Sequence, residues 1–371
     1  MPYLNLQNLI PDYIKKFEAY IPSKPDDTLC KTFHCPHLYR LNNNENPLGP
    51  PQASQKIIKE FLPFKASVYP SGDSYHLRSK LGDKFNLHHD QFLVGNGANE
   101  LISFVIKAFC EKGDNIVTAD KTFAVYEWVA EFSGFQSKLV PLLNYGFDPE
   151  GILNAIDNKT KIIFICNPNN PTGTYWDTTT LTNFLDRVNG RQIVVLDEAY
   201  FEFVDKEDYP NGMNLIERYP NLVVFRTFSK MYGLAGLRVG FLAGAIDVVD
   251  TIRKTCVVYS VNVLAQEAAT AALDDDTHIY KTRNLIKTEK NFITEELSRL
   301  GVYHISGEGC YLMFKLPISD TLAYRKFITQ GIIIRSMTGF RFPNWIRVSI
   351  STHQIMEKFI DTLEKILKKR V

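Results

Sequence analysis

Arg226-Thr-Phe-Ser-Lys-Met-Tyr-Gly-Leu-Ala-Gly-Leu-Arg-Val-Gly240 follows the apolar run Leu222-Val-Val-Phe225. One lysine, Lys230, stands just past a strand-like segment, among Ser229, Gly233, Gly236 and Gly240, with Arg238 eight positions on. A lysine attacks carbonyls only as the neutral amine, so it needs a desolvated or electropositive site. Glycines let backbone approach a ligand closely, and an arginine supplies fixed charge for a phosphate. Taken alone, a lysine is most often a solvated surface residue. The segments upstream change that reading.

Asn167-Pro-Asn-Asn-Pro-Thr-Gly173 follows the apolar run Lys161-Ile-Ile-Phe-Ile-Cys166, and Asp197-Glu-Ala-Tyr200 follows Gln192-Ile-Val-Val-Leu196. Each is a buried-strand pattern ending in polar residues. Ligands of open α/β sheets bind outside the carboxyl ends of the strands, so Asn170, Asp197, Tyr200 and Lys230 are expected to converge. Separately, Asn-Pro and Pro-Thr-Gly are ordinary turn formers, and an acid after a strand is ordinarily solvated. Together they suit pyridoxal phosphate, which joins to a lysine and needs an acid at its pyridine nitrogen. Asp197 fits the acid. Asn170 and Tyr200 fit as hydrogen-bond partners of the ring oxygen.

With these motifs the chain resembles the fold-type I pyridoxal-phosphate aminotransferases. Phe17-Glu-Ala-Tyr-Ile-Pro-Ser-Lys-Pro25 and Leu41-Asn-Asn-Asn-Glu-Asn-Pro-Leu-Gly49 are similar to their histidinol-phosphate branch. The resemblance implies transamination of L-histidinol phosphate with 2-oxoglutarate, giving imidazole-acetol phosphate and glutamate, a step of histidine biosynthesis. The alternative is an aromatic amino acid aminotransferase of the same fold. By the same resemblance Gly97, Ala98 and Asn99 cradle the cofactor phosphate, with Thr227, Ser229 and Arg238 completing the cup. Phe123 stacks on the pyridine ring where many relatives carry tyrosine. Tyr69 reaches the cofactor phosphate of a neighbouring subunit, which implies a homodimer with a shared active site. Tyr20, Asn170, Arg335 and Arg347 serve the substrate. Arg341 stands where relatives often have a small residue.

A rival reading rests on Gln91-Phe-Leu-Val-Gly-Asn-Gly-Ala-Asn-Glu100 followed by Asn115-Ile-Val-Thr-Ala-Asp120, which imitates a dinucleotide fingerprint. Glu100 occupies the third glycine's place, and the Lys230 and Asp197 motifs would go unexplained. A cofactor-binding regulator would need a DNA-binding module, which the length does not accommodate.

The 371 residues suit one large α/β domain and a smaller one. A formal net charge of +1 favours no nucleic acid, no run reaches membrane-span length, and the N-terminus lacks a secretory pattern, so cytoplasmic residence is expected. Cys30, His34, Cys35 and His37 lie close together but lack structural-zinc spacing, and no metal is expected. The small-molecule partners are then an amino donor and a 2-oxo acid.

The expected architecture is a mostly parallel central sheet flanked by helices, with a smaller α+β domain. Strands are expected at Gln91–Val94, Asn115–Ala119, Ser137–Pro141, Lys161–Cys166, Gln192–Leu196, Leu222–Phe225 and Val239–Ala243, with a helix at Asn99–Phe109. Later come a helix near Thr277–Leu300, strands at Val302–Ser306 and Tyr311–Leu316, and a closing helix at Thr352–Lys369. Residues 1–50 read as an arm joining the small domain, 51–274 as the cofactor domain and 275–371 as the small domain.

Overall fold

The structure, a computed structural model, describes residues 6–18 and 24–368. Strand β1 (Tyr39–Arg40) belongs to the arm. Then come β2 (Phe92–Gly95), β3 (Asn115–Ala119), β4 (Gln136–Val140), β5 (Thr160–Cys166), β6 (Ile193–Asp197), β7 (Leu222–Thr227) and β8 (Gly240–Ala243). These last seven form one sheet in the order β2-β8-β7-β6-β5-β3-β4. β7, β6, β5, β3 and β4 are mutually parallel, and β8 runs antiparallel to both its neighbours.

The exception has a local cause. A parallel return needs a crossover of a dozen or more residues, usually a helix. The twelve residues between β7 and β8 hold no α-helix, only the 3₁₀ turn Ala235–Leu237. The chain therefore doubles back, and the start of β8 meets the carboxyl ends of its neighbours. Gly240 is in register with both Thr227 and Gly95. This antiparallel return carries Arg238 back to the turn after β2.

The inner strands β5, β6 and β7 are apolar with little alternation, the pattern of a sheet covered on both faces, whereas edge strand β4 carries Gln136, Ser137 and Lys138. Phe164, Val194, Val195, Leu196 and Val224 are fully buried. Each such side chain stabilises the fold by about 1.5–3 kcal/mol relative to exposure. Under the β6 end, Arg226 pairs with Glu198 at 2.8 Å, both buried, and its guanidinium lies over the Phe201 ring. Such a pair costs desolvation energy, so it fixes one arrangement more than it stabilises.

The expected strands lie within two residues of the observed ones. The later segment forms β9 (His304–Ile305), β10 (Tyr311–Lys315), β11 (Ile332–Ile333), β12 (Arg335–Ser336) and β13 (Trp345–Ser349). β12-β13-β10-β9 is an antiparallel sheet, and β1 pairs in parallel with β11. Val302–Ser306 shrinks to the two residues that register with Met313 and Phe314. Helix Asp276–Arg299 is capped by the Asp275 side chain, which accepts from the His278 amide at 2.9 Å. Helix His353–Lys368 buries Met356, Phe359, Ile360, Leu363 and Ile366, an apolar stripe of helical period. Phe359 stacks on Phe327 of helix Asp320–Ile328, with centroids 5.2 Å apart.

Candidate active site

The carboxyl ends of β2, β3, β5, β6 and β7 open on one cavity of about 530 Å³. Its wall includes Ala98, Asn99, Phe123, Asn170, Asp197, Tyr200, Thr227, Ser229, Lys230, Arg238, Arg335 and Arg347, all anticipated from sequence.

Lys230 follows β7 on a turn pressed against the arm. A Cβ on Gly233, whose φ is +60°, would lie 2.2 Å from the Gly49 carbonyl oxygen, so the two segments touch backbone to backbone. Asn46 donates to the Met231 carbonyl at 2.6 Å, and Lys230 Nζ donates to the Asn43 carbonyl at 2.7 Å. Burial lowers the Lys230 amine to about 8; Arg347 and Arg238 push the same way, while Cys310 and Glu45 oppose them. At pH 7 about one molecule in ten then carries the neutral amine, against fewer than about one in a thousand for a free lysine.

Asp197 ends β6 in full burial. Its partners are the Tyr126 hydroxyl, on Oδ2, and the Ala199 amide, 3.0 Å from Oδ1. Burial raises its carboxyl, and these two hydrogen bonds only partly offset that. Neither partner is a cation, so the site favours a positively charged group beside this acid. Tyr126 is stacked on Phe164 at 4.7 Å between centroids, which fixes its hydroxyl. Tyr200 receives a hydrogen bond from Asn44 Nδ2 at 2.8 Å, and burial holds its phenol protonated.

Helix Ala98–Phe109 points its N-terminus at the cavity. Gly97 caps it at φ +80° with no side-chain cap, leaving first-turn N–H groups for an anion. Arg238 hangs over this end: a Cβ on Gly97 would sit 2.3 Å from its Nη2. Arg238 Nη1 also lies 3.4 Å from Ser229 Oγ. Cation, hydroxyls and helix terminus form a cup suited to a phosphate.

Arg335 and Arg347 are register partners on β12 and β13, so two cations lie side by side. Arg347 is buried; it donates to Asn170 Oδ1 and, at 2.7 Å, to the Asn42 carbonyl. Its Nε is buried without a partner among the described residues, as is Asn42 Oδ1. Burial lowers the Arg347 guanidinium, and Arg335 adds to that. Adjacent cations with a spare donor favour an anionic ligand.

The dinucleotide alternative fails on topology. Four strands separate β2 from β3, so the glycine turn and Asp120 share no βαβ unit. Glu100 instead accepts from the Asn96 amide at 2.7 Å and Ser260 Oγ at 2.8 Å.

Some residues fall elsewhere. Tyr69 is 79% exposed and stacked on Tyr259, away from the cavity lining of its own chain. Tyr20 lies outside the described residues. Among the described residues, the metal-ligating types that gather are His88, His89 and Asp90 at the surface, not the cluster from Cys30 to His37. Sequence reasoning missed Asn42, Asn43, Asn44, Glu45 and Phe340 in the wall, and Tyr126 behind it. The polar run Asn42–Asn46 was visible, but nothing local ties it to Lys230.

A sheet of this topology, with a depressed lysine, a buried acid and a phosphate cup at its strand ends, defines a pyridoxal-phosphate enzyme. The chain matches the aminotransferase class I and II family over residues 36–363 and belongs to it. It is 35% identical to histidinol-phosphate aminotransferase 2 of Carboxydothermus hydrogenoformans, over 96% of this chain and 98% of that one. Among solved structures it superposes on the histidinol-phosphate aminotransferase of Sinorhizobium meliloti in complex with pyridoxal-5'-phosphate. That match has a TM-score of 0.87 at 21% identity, covering 98% of each chain. The enzyme of Clostridium acetobutylicum gives 0.82 at 25% identity, covering 90% of this chain and all of that one. The residues present fit the cofactor: the cup suits its phosphate, the uncompensated Asp197 its ring nitrogen, and the partly neutral Lys230 its carbonyl.

Proposed function

We propose that this aminotransferase interconverts L-histidinol phosphate and 2-oxoglutarate with imidazole-acetol phosphate and glutamate, in histidine biosynthesis. The observation that carries the substrate is the Arg335–Arg347 pair, two neighbouring cations with a spare donor, distinct from the cup at Gly97 and Arg238. One cavity then offers two anion sites, for a cofactor and a substrate that each bear phosphate. On the glutamate side the same arginines accept a carboxylate.

Pyridoxal phosphate supplies an electron sink for the carbon that loses its proton. Lys230, its amine depressed by burial, takes that proton and returns it. Asp197 would keep a proton on the ring nitrogen. Asn170 and Tyr200 would hydrogen-bond the ring oxygen, and Phe123 would pack on the ring. Gly97, Ala98, Asn99, Thr227, Ser229 and Arg238 would hold the phosphate. Arg347, itself braced by Asn170, and Arg335 would orient the substrate, a role the family resemblance extends to Tyr20.

Arg335→Gln is expected to raise KM for histidinol phosphate by about tenfold or more, since a charge-assisted hydrogen bond contributes about 1.5–3 kcal/mol. An unchanged KM in steady-state assays would remove Arg335 from the substrate site.

The functional unit is read as a homodimer in which Tyr69 reaches the partner's cofactor phosphate; its exposure and that of Val68, Val257 and Val258 support this. Sedimentation of the active holoenzyme as a monomer would contradict it. Domain limits at 1–50, 51–274 and 275–371 remain part of this reading. The β1–β11 pairing supports the arm's membership of the small domain. Among the described residues no helix is long and apolar enough to cross a membrane; a cytoplasmic site of action is part of the same proposal.

A further inference from the structure

Arg341 lies outside the cavity lining, yet its backbone is left-handed at φ +62°, a conformation costly for a residue with a Cβ. Such strain persists where surrounding contacts over-determine it and invites a functional reading. The contacts here are specific. Arg341 Nη1 donates to the Asp120 carbonyl at 2.8 Å, and Nη2 donates to Glu127 Oε1 at 2.7 Å. The Glu127 side chain is only 15% exposed, so the pair is partly shielded from solvent.

The two segments joined each contribute a ring to the cavity wall. One, the turn Thr338–Phe340, presents Phe340 to the cavity, and Arg335 lies over the Phe340 ring at 5.6 Å. The other, Asp120 to Glu127, presents Phe123. The turn is also pinned from behind, because buried Asp320 accepts from the Thr338 amide at 2.7 Å and its hydroxyl at 2.8 Å. A second strap runs parallel to the clasp: Lys121 Nζ sits 5.7 Å from the centre of the Phe342 ring.

We propose that Arg341 is a positioning residue that sets substrate affinity. Its clasp on Glu127 and Asp120 fixes how far Phe340 and Arg335 stand from Phe123, and so the width of the substrate space. The substrate named rests on the proposed function; the clasp does not. Removing it lets the Thr338–Phe342 turn relax outward. Arg335 then loses its alignment while Lys230 and Asp197, on other elements, keep theirs.

The test compares the wild-type holoenzyme with Arg341→Gly, Glu127→Gln and the double variant, using histidinol phosphate and, separately, glutamate. Arg341→Gly is expected to raise KM about fivefold with kcat within about twofold, the scale of a partly exposed ion pair. Its thermal midpoint should hold or rise, because glycine accepts the left-handed backbone. Glu127→Gln should raise KM by a smaller factor, and the double variant should match Arg341→Gly alone. Unchanged KM in Arg341→Gly, or additive effects in the double variant, would overturn the proposal. If the wild type leaves histidinol phosphate untouched, the substrate reading fails and the glutamate series still decides on the clasp.

Discussion

Lys230→Ala is expected to lower turnover by at least about 10³-fold, the scale of losing both a nucleophile and a positioned general base. The variant should still retain cofactor, because the cup at Gly97, Ser229 and Arg238 does not depend on the lysine. Borohydride reduction followed by mass spectrometry should attach the cofactor to the wild-type chain and not to the variant. Wild-type turnover in Lys230→Ala would refute the assignment. The apoprotein offers an independent sign. The folded amine, at about 8, binds its proton less tightly than the unfolded one near 10.4. Between those values the unfolded state holds more protons, so stability rises with pH across that window. Urea titrations of the Lys230→Ala apoprotein should lack this rise.

Asp197→Asn is expected to cost about 10²–10³-fold in kcat, since it removes preorganised charge at the ring nitrogen while keeping shape. The fold should survive. In the apoprotein the carboxyl is raised by burial, so between the unfolded value and the raised one the folded state holds more protons. Stability therefore falls as pH rises through that window, and the amide variant escapes the loss. Far-ultraviolet circular dichroism with rapid kinetics on cofactor-loaded variant checks both halves. Normal rates with bound cofactor would remove Asp197 from the mechanism.

The strand ends were legible because each wrote its chemistry locally. An apolar run followed at once by Asn170, Asp197 or Lys230 is a strand end in any parallel sheet, and the sheet gathers such ends on one edge. The glycine turn before helix Ala98–Phe109 was legible for the same reason. The antiparallel β8 follows from the helix-free stretch after β7, but its consequence, Arg238 meeting Gly97, needs the register of Gly240 with Gly95. Other contacts had no local trace. Asn43 reaches Lys230 across 187 positions, through the close approach of Gly233 to Gly49. Nothing in the sequence singles out Tyr126, whose stack on Phe164 sets its hydroxyl against Asp197. Arg335 and Arg347 were both expected at the substrate by resemblance; the β12–β13 register is what sets them side by side. Arg341 stood out only as a large residue where relatives often have a small one, and its clasp on Glu127 became visible only in three dimensions.

The most direct test is a single-turnover half-reaction. Cofactor-loaded enzyme is mixed separately with histidinol phosphate, phenylalanine, tyrosine, glutamate and phosphothreonine while the visible absorbance of the bound cofactor is followed. Fast bleaching with histidinol phosphate and glutamate, and slow bleaching with the aromatic acids, is the predicted result. Faster reaction with phenylalanine or tyrosine than with histidinol phosphate would contradict it, and would move Arg335 and Arg347 to carboxylate recognition.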